Sequence, residues 1–343
     1  MATQLSELPA QEGTPRTFAP GIYYDVPATE YHAAPGLSNS GMKDLAISPL
    51  RYWHLHINPN RESKESDAMD LGTAFHCAVL EPEKFASSYV RSIAAADYEG
   101  CLITMDDLRE WAKGQGITFT ARTKADMVKV IQTFCRNQGV AEPPILDILR
   151  QAHTAQHQGK TELSREEWDR VHGMAEALRS EKSIAPILKE GRAEVCVFAR
   201  DPATGVLLKS RLDWISDATT VDLKSFSQKN GRSIDRSVTA AIAYESYYRQ
   251  GYFYTLLRSL HGVKKQKSVM AFVESDTPHE VRIKEFTPVA LGEANVYWGR
   301  AKLEVQSLIK TYAWYQKEFG TAPWRAAQTI EVLRDEELPN LAY

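Results

Sequence analysis

The chain has 343 residues, 43% hydrophobic and 25% charged, which is an ordinary soluble composition and room for one large domain or two smaller ones. A net charge of −3 excludes a polycation, so any nucleic-acid contact has to come from a local basic surface. Four widely spaced cysteines (Cys77, Cys101, Cys135, Cys196) without a CxxC pair argue against a zinc site or disulfide framework and fit a reducing cytoplasm, and neither a signal pattern nor a membrane-length apolar run is present.

Residues 1–19 are polar, with Pro9, Gly13 and Pro15, and read as a disordered lead-in. Gly21 to Asp25 is a short strand or arm. Ser38 or Ser40 can cap a short helix through Ile47, and Pro49 suits the first position of the next. Residues 57–67 are a polar loop. Asp70 to Leu80 is a buried helix whose apolar face is Leu71, Ala74, Phe75, Ala78 and Val79, with His76 beside it. The stretch 95–165 breaks the pattern as a helical insertion. A helix from Asp106 to Ile117, a loop over 118–122 and a second helix from Thr123 to Ile131 have the shape of a SAP- or LEM-like nucleic-acid-binding unit, or of an ordinary helical insertion. Glu142-Pro-Pro144 is a linker, and Ser164 with Glu167 has capping-box spacing.

Strands begin at Ala193, and Lys209 to Ser225 forms a hairpin. Folded about an Asp217-Ala218 turn, it sets Leu212 against Leu223, Trp214 against Val221 and Asp213 against Asp222, with Leu212 and Trp214 on one face. Residues 226–238 are a polar, basic loop carrying Lys229, Arg232 and Arg236. Thr239 to Leu260 is one long helix closed by Gly262. Ser268–Glu274 and Glu280–Phe286 are antiparallel strands, and Pro288 to Phe319 is a long amphipathic helix. Residues 331–343 are a tail.

Two opposed aspartates with a lysine two residues on suit a divalent-metal site better than a structural pair. Hydrolysis of a phosphodiester needs an activated water and neutralisation of developing charge, and Mg²⁺ held by carboxylates supplies both, with Mn²⁺ as a substitute. Asp213, Asp222 and the main-chain carbonyl of Leu223 are candidate ligands, and Glu194 is a further ligand or a solvated strand end. Lys224, roughly 7 Å along the strand from Asp222, could orient or deprotonate the water or stabilise charge. Gln250, Tyr254 and Tyr247 share a helical stripe able to bond phosphates or stack on bases, although aromatics at that spacing are usually core. Arg211, placed opposite Lys224 by the hairpin register, makes with Lys209 and the 229–236 basic residues a phosphate track or a solvated charge run.

In this order, Gly72-Thr-Ala-Phe-His76, Asp213-Trp214, Asp222-Leu-Lys224 and Gln250-xxx-Tyr254 resemble the PD-(D/E)XK nuclease superfamily, more closely its RecB-like exonucleases and the C-terminal nuclease domain of the RecE (exodeoxyribonuclease VIII) group. Tyr31-His32, Leu37-Ser-Asn-Ser40 and Leu80-Glu-Pro-Glu83 look like that group too. The resemblance spans most of 20–330, leaving out 95–165. It implies a restriction-endonuclease-like α/β core, a central mixed sheet flanked by helices. It also implies Mg²⁺-dependent 5′-to-3′ resection of linear duplex ends in the cytoplasm during phage or host recombination. By it, His76, Asp213 and Asp222 are metal-site residues, Lys224 is the catalytic lysine, and Gln250 and Tyr254 form the QxxxY motif that contacts DNA. The group is known for ring-shaped homo-oligomers and for pairing with a single-strand annealing recombinase; no membrane partner is implied. Ser48-Pro49 stands where some relatives have a cluster cysteine, so no iron–sulfur cluster is expected. The competing readings are an endonuclease of the superfamily and a non-catalytic DNA-binding protein on this fold. The insertion is expected to be an extra DNA-binding arm.

Overall fold

A computed structural model describes residues 16–61, 71–228, 231–286 and 296–325. The expected lead-in before Arg16, the helix start at Asp70, most of the 57–67 loop, Lys229, residues 287–295 and the tail lie outside the described residues. The chain opens with β1 (Gly21–Tyr23), α1 (Ala28–Ala33), α2 (Asn39–Ile47) and α3 (Pro49–Tyr52). The Ser38 hydroxyl caps α2 by accepting from Gly41 N at 3.1 Å, and Pro49 occupies the start of α3 under a Ser48 cap. Then come α4 (Leu71–Leu80), α5 (Pro82–Ser88) and β2 (Tyr89–Arg91). The insertion holds α6 (Met105–Gly114), α7 (Lys124–Gln138) and α8 (Leu146–Gln156), and returns through β3 (Thr161–Leu163) and α9 (Arg165–Ser180). The second half is β4 (Arg192–Arg200), β5 (Leu207–Ile215), β6 (Thr219–Phe226), α10 (Ile234–Tyr244), α11 (Tyr247–Leu260), β7 (Lys267–Glu274), β8 (Val281–Glu285) and α12 (Val296–Phe319).

Six strands form one mixed sheet in the order β1-β4-β5-β6-β7-β8, antiparallel except for β6 and β7. That one parallel pair needs a crossover, which α10 and α11 supply. Both faces are covered. On β7, Met270 and Phe272 pack toward α11 and α12, while Val269, Ala271 and Val273 pack toward α4 and α9. A near-continuous apolar strand is what burial on two sides demands. The architecture is the restriction-endonuclease-like α/β fold expected from the motifs.

The hairpin keeps its expected register where it is paired: Trp214 faces Val221 and Ile215 faces Thr220. Asp217-Ala218 is a poor hairpin turn by its own preferences, and the fold compensates from outside. Arg258 on α11, 2% exposed, donates to the carbonyls of Ser216 and Asp217 at 2.8 Å each and to Thr220 Oγ1 at 3.1 Å. We expect Arg258→Ala to cost about 3 kcal/mol in denaturant unfolding, because it removes three hydrogen bonds that hold the turn and opens a cavity where the buried side chain lay; an unchanged midpoint would mean that the turn holds itself.

Three expectations change here. The 239–260 helix is two helices: α10 starts at Ile234, inside the expected loop, and Ser246 breaks the run with a left-handed φ of 54°. Leu212 and Trp214 do not share a face. Leu212 packs with Val195 and Val197, whereas Trp214 joins Phe75, Val221 and Leu223. Its cross-strand neighbours behave likewise, Val195 siding with Leu212 and Ala193 with Trp214. Both strands therefore roll over together at Glu194 and Asp213, and Glu194 carries the left-handed φ of 55° that permits it. Lys209 is no phosphate contact. It is buried, and its ammonium donates to the carbonyls of Ala34 at 2.5 Å, Tyr31 at 2.9 Å and His32 at 3.3 Å.

The insertion forms its own apolar cluster around Leu108, Met127, Ile131 and Ile145, joined to the body through the parallel pair of β2 and β3. The helix–loop–helix is present, but α7 runs on to Gln138 and α8 follows the prolines unforeseen. The Ser164–Glu167 capping box forms at 3.2 and 2.8 Å.

Candidate active site

Asp213 sits where the sheet opens. The β5–β6 ladder stops at Val221, so the two aspartates are not ladder partners. Instead the Asp213 carboxylate takes the place of a strand partner, its Oδ2 accepting from Leu223 N at 2.8 Å. The N–H and C=O of a residue in a strand lie on the same edge. The Leu223 carbonyl therefore also faces the gap, as its assignment as a ligand requires.

Three donors converge on this point. His76 from α4, Glu194 from β4 and Asp213 from β5 offer ligand atoms that all lie within 4.8 Å of one another. His76 Nδ1 is 3.5 Å from Asp213 Oδ2. Thr73, His76 and Cys77, three and four residues apart on one helix face, line the same cleft of about 450 Å³. Burial, and next the charge of Asp222, push the Asp213 carboxyl up to about 6, against the pull of His76 and Lys224.

Asp222 points to the other side of β6, under α11, and is 3% exposed. Its Oδ1 accepts from Gln250 Nε2 at 2.7 Å and from Tyr254 OH at 3.4 Å, and Gln250 also donates to Tyr254 OH at 2.5 Å. Its Oδ2 is met by Lys224 Nζ at 2.6 Å, an ion contact, and receives no directed hydrogen bond among the described residues. Burial pulls the Lys224 ammonium down, but Asp222 and Asp213 more than offset it and hold it above its ordinary value. The Tyr247 ring covers this ammonium at 5.0 Å.

Gln250 and Tyr254 border the cleft, and the Gln250 amide nitrogen and the Tyr254 hydroxyl donate to Asp222. In this arrangement they position the carboxylate. Arg211 lies beside Cys196 of β4 and not opposite Lys224, because the hairpin ladder does not extend that far. Its guanidinium is taken by Glu194 and by the Val26 carbonyl, the latter at 2.7 Å. Arg232 and Arg236 lie away from the cleft lining, at the start of α10. The cleft also includes His32, Ser38, Asn39, Ser40, Glu81 and Lys84, to which no site role was given from sequence. All but Lys84 lie in the Tyr31-His32, Leu37–Ser40 and Leu80–Glu83 stretches.

The residues present fit a hard divalent cation. Two carboxylates and an imidazole converge, and a carbonyl faces the gap. Oxygen-rich ligation without thiolate excludes a soft-metal preference. Among the described residues no helix is long and apolar enough to cross a membrane.

Residues 38–331 match the family described as a PDDEXK-like domain of unknown function, DUF3799. A search of curated proteins gave no match. Among solved structures, a "Putative exonuclease" from Eubacterium rectale is similar at 16% identity over 67% of this chain and 83% of that one, with a TM-score of 0.34. SSO0001 is similar at 11% identity over 71% and 87%, with a TM-score of 0.22.

Proposed function

The chain belongs to the PDDEXK-like family DUF3799, and on that premise we propose that it is a Mg²⁺-dependent deoxyribonuclease of the RecE-like kind, hydrolysing phosphodiester bonds from the ends of linear duplex DNA. The observation that carries the reading is the convergence of His76, Glu194 and Asp213 beside a buried Asp222–Lys224 pair. Nucleases of this superfamily use divalent metals; His76, Glu194, Asp213 and the Leu223 carbonyl are the groups that would hold one, while Asp222, assigned to the metal from sequence, lies outside their cluster in this arrangement. When bound, such a cation supplies charge neutralisation at the phosphate and a lowered pKa for water.

The protein's own part in the chemistry follows from the geometry. Water gives up a proton to solvent as its oxygen attacks phosphorus, the P–O bond to the departing sugar oxygen breaks and that oxygen takes a proton from solvent, and negative charge builds on the non-bridging oxygens in between. Lys224, held by Asp222 at 2.6 Å, serves as a donor to that charge. Gln250 and Tyr254 hold Asp222 in one rotamer, which keeps the ammonium and the carboxylate edge in fixed relation. The roll-over at Glu194 and Asp213 turns two carboxylates from neighbouring strands into the same cleft.

End dependence, 5′-to-3′ polarity and a place in recombination are what the resemblance of the four motifs to the RecE-like exonucleases implies. The test uses linear duplex labelled at either 5′ or 3′ ends, beside a closed circle, with Mg²⁺ or Mn²⁺. Release of short 5′ products with the circle spared is the expected result. A cut circle would make the protein an endonuclease, and DNA binding without any released nucleotide would make it a non-catalytic relative.

A further inference from the structure

The cleft uses the buried face of α11 and leaves the exposed helix before it without a role. Tyr244, the last residue of α10, is 91% exposed. Opposite buried Val238, residues Arg236, Ala240, Ala243 and Tyr244 fall at i, i+4, i+7 and i+8 on one stripe, with Ala240 half-buried and the other three exposed. Arg236 and Tyr244 stand eight residues apart, about 12 Å along the helix. Only alanine side chains lie on the stripe between them.

A single exposed tyrosine is unremarkable in itself, but this one adjoins the candidate site. Tyr247, three residues on and across the Ser246 break, lays its ring over the Lys224 ammonium at 5.0 Å. Glu245, between the two, is tied to Lys43 of α2 at 2.6 Å. The elbow that carries Tyr244 is thus held on both sides. The local charge is positive as well. Arg282 is shared by Asp235 at 3.0 Å and Glu280 at 2.6 Å and Glu245 is tied to Lys43, so all but one of these acidic charges is matched, while Arg232 and Arg236 are exposed.

We propose that the outer face of α10 is a lane for the DNA strand entering or leaving the cleft, with Arg236 and Arg232 on backbone phosphates and Tyr244 stacked on an unpaired nucleobase next to the scissile phosphate. The lane rests on the nuclease reading for its purpose, but its binding chemistry stands apart from cleavage. A cationic groove with an aromatic platform is how single strands are held without regard to sequence. It binds an unstacked base, since a base inside a duplex offers no free face to the ring. Tyr244 then acts as a positioning residue, through strand registration, and not as a catalytic one.

The test uses the full chain and a single-stranded oligonucleotide with 2-aminopurine at successive positions, with Ca²⁺ to permit binding without turnover. Fluorescence should be quenched at one or two positions. Tyr244→Ala should abolish that quenching and weaken binding by about 5- to 150-fold, Tyr244→Trp should restore both, and thermal melting should be unchanged for both variants. Arg236→Ala should weaken binding at every position and reduce the salt slope by about 1. Quenching that survives in Tyr244→Ala, a loss that Trp does not restore, or no single-strand binding at all would overturn the lane. Position-specific quenching in a protein that cleaves nothing with Mg²⁺ or Mn²⁺ would sustain the lane and sink the nuclease reading instead.

Discussion

Asp222→Asn is expected to lower metal-dependent DNA cleavage by at least about 10³-fold and to destabilise the protein at the same time. The substitution keeps the shape and removes only charge. Gln250 and Tyr254 still find an oxygen to bond. Lys224, however, keeps its ammonium in a largely buried position with its partner at 2.6 Å neutralised. Removing one member of a buried pair costs about 3–5 kcal/mol because the other charge is left uncompensated. Nucleotide release from labelled duplex reads the first effect and urea unfolding the second. Cleavage near the wild-type rate would remove Asp222 from the site. Full loss of folded signal would make the pair structural.

Asp213→Asn should lose cleavage to a similar degree and yet stabilise the metal-free protein. The two carboxylates differ in what faces them. Asp222 has a cation in contact, whereas Asp213 has burial, the charge of Asp222 and an imidazole 3.5 Å away. A carboxyl pushed from 3.8 to about 6 is one whose charge the fold disfavours. Asparagine can still accept the Leu223 amide through its Oδ1 and carries no charge to disfavour. The gain should be on the order of 1–3 kcal/mol at pH 7 and above, read by melting in the presence of a chelator. Equal destabilisation by both substitutions would mean that Asp213 is held by partners as Asp222 is, and that no charge repulsion is stored at the site.

The candidate site residues were legible because they fall in short motifs on elements with clear periods. The period-two reading of this hairpin was enough to place Trp214 opposite Val221, where the ladder ends, but the expected pairs Leu212–Leu223 and Asp213–Asp222 beyond it do not form. What the period could not carry was the roll-over at Glu194 and Asp213, since alternation counted from Leu212 presumes an unbroken strand. A glutamate at left-handed φ has no sequence signature. The Asp217-Ala218 turn looked doubtful locally for a related reason: Arg258, some forty residues on, supplies the missing hydrogen bonds. Lys209 read as surface because lysines generally are. Its carbonyl cage comes from the end of α1, a six-residue helix too short to show a period. Gln250 and Tyr254 were found by type and spacing, but a glutamine able to bond phosphate is equally able to bond a carboxylate. Only the side of β6 on which Asp222 lies decides between them.

The stem of β2 and β3 bears on how this chain can vary. The chain departs after Arg91 and re-enters at Thr161, and their register places these points roughly 8 Å apart. Between them lies a unit whose apolar cluster is distinct from those of the sheet. A segment attached by two neighbouring points and packed on itself is nearly a guest in the host fold. Lengthening, shrinking or exchanging it changes the reach of the molecule while leaving untouched the strand geometry on which His76, Glu194 and Asp213 depend.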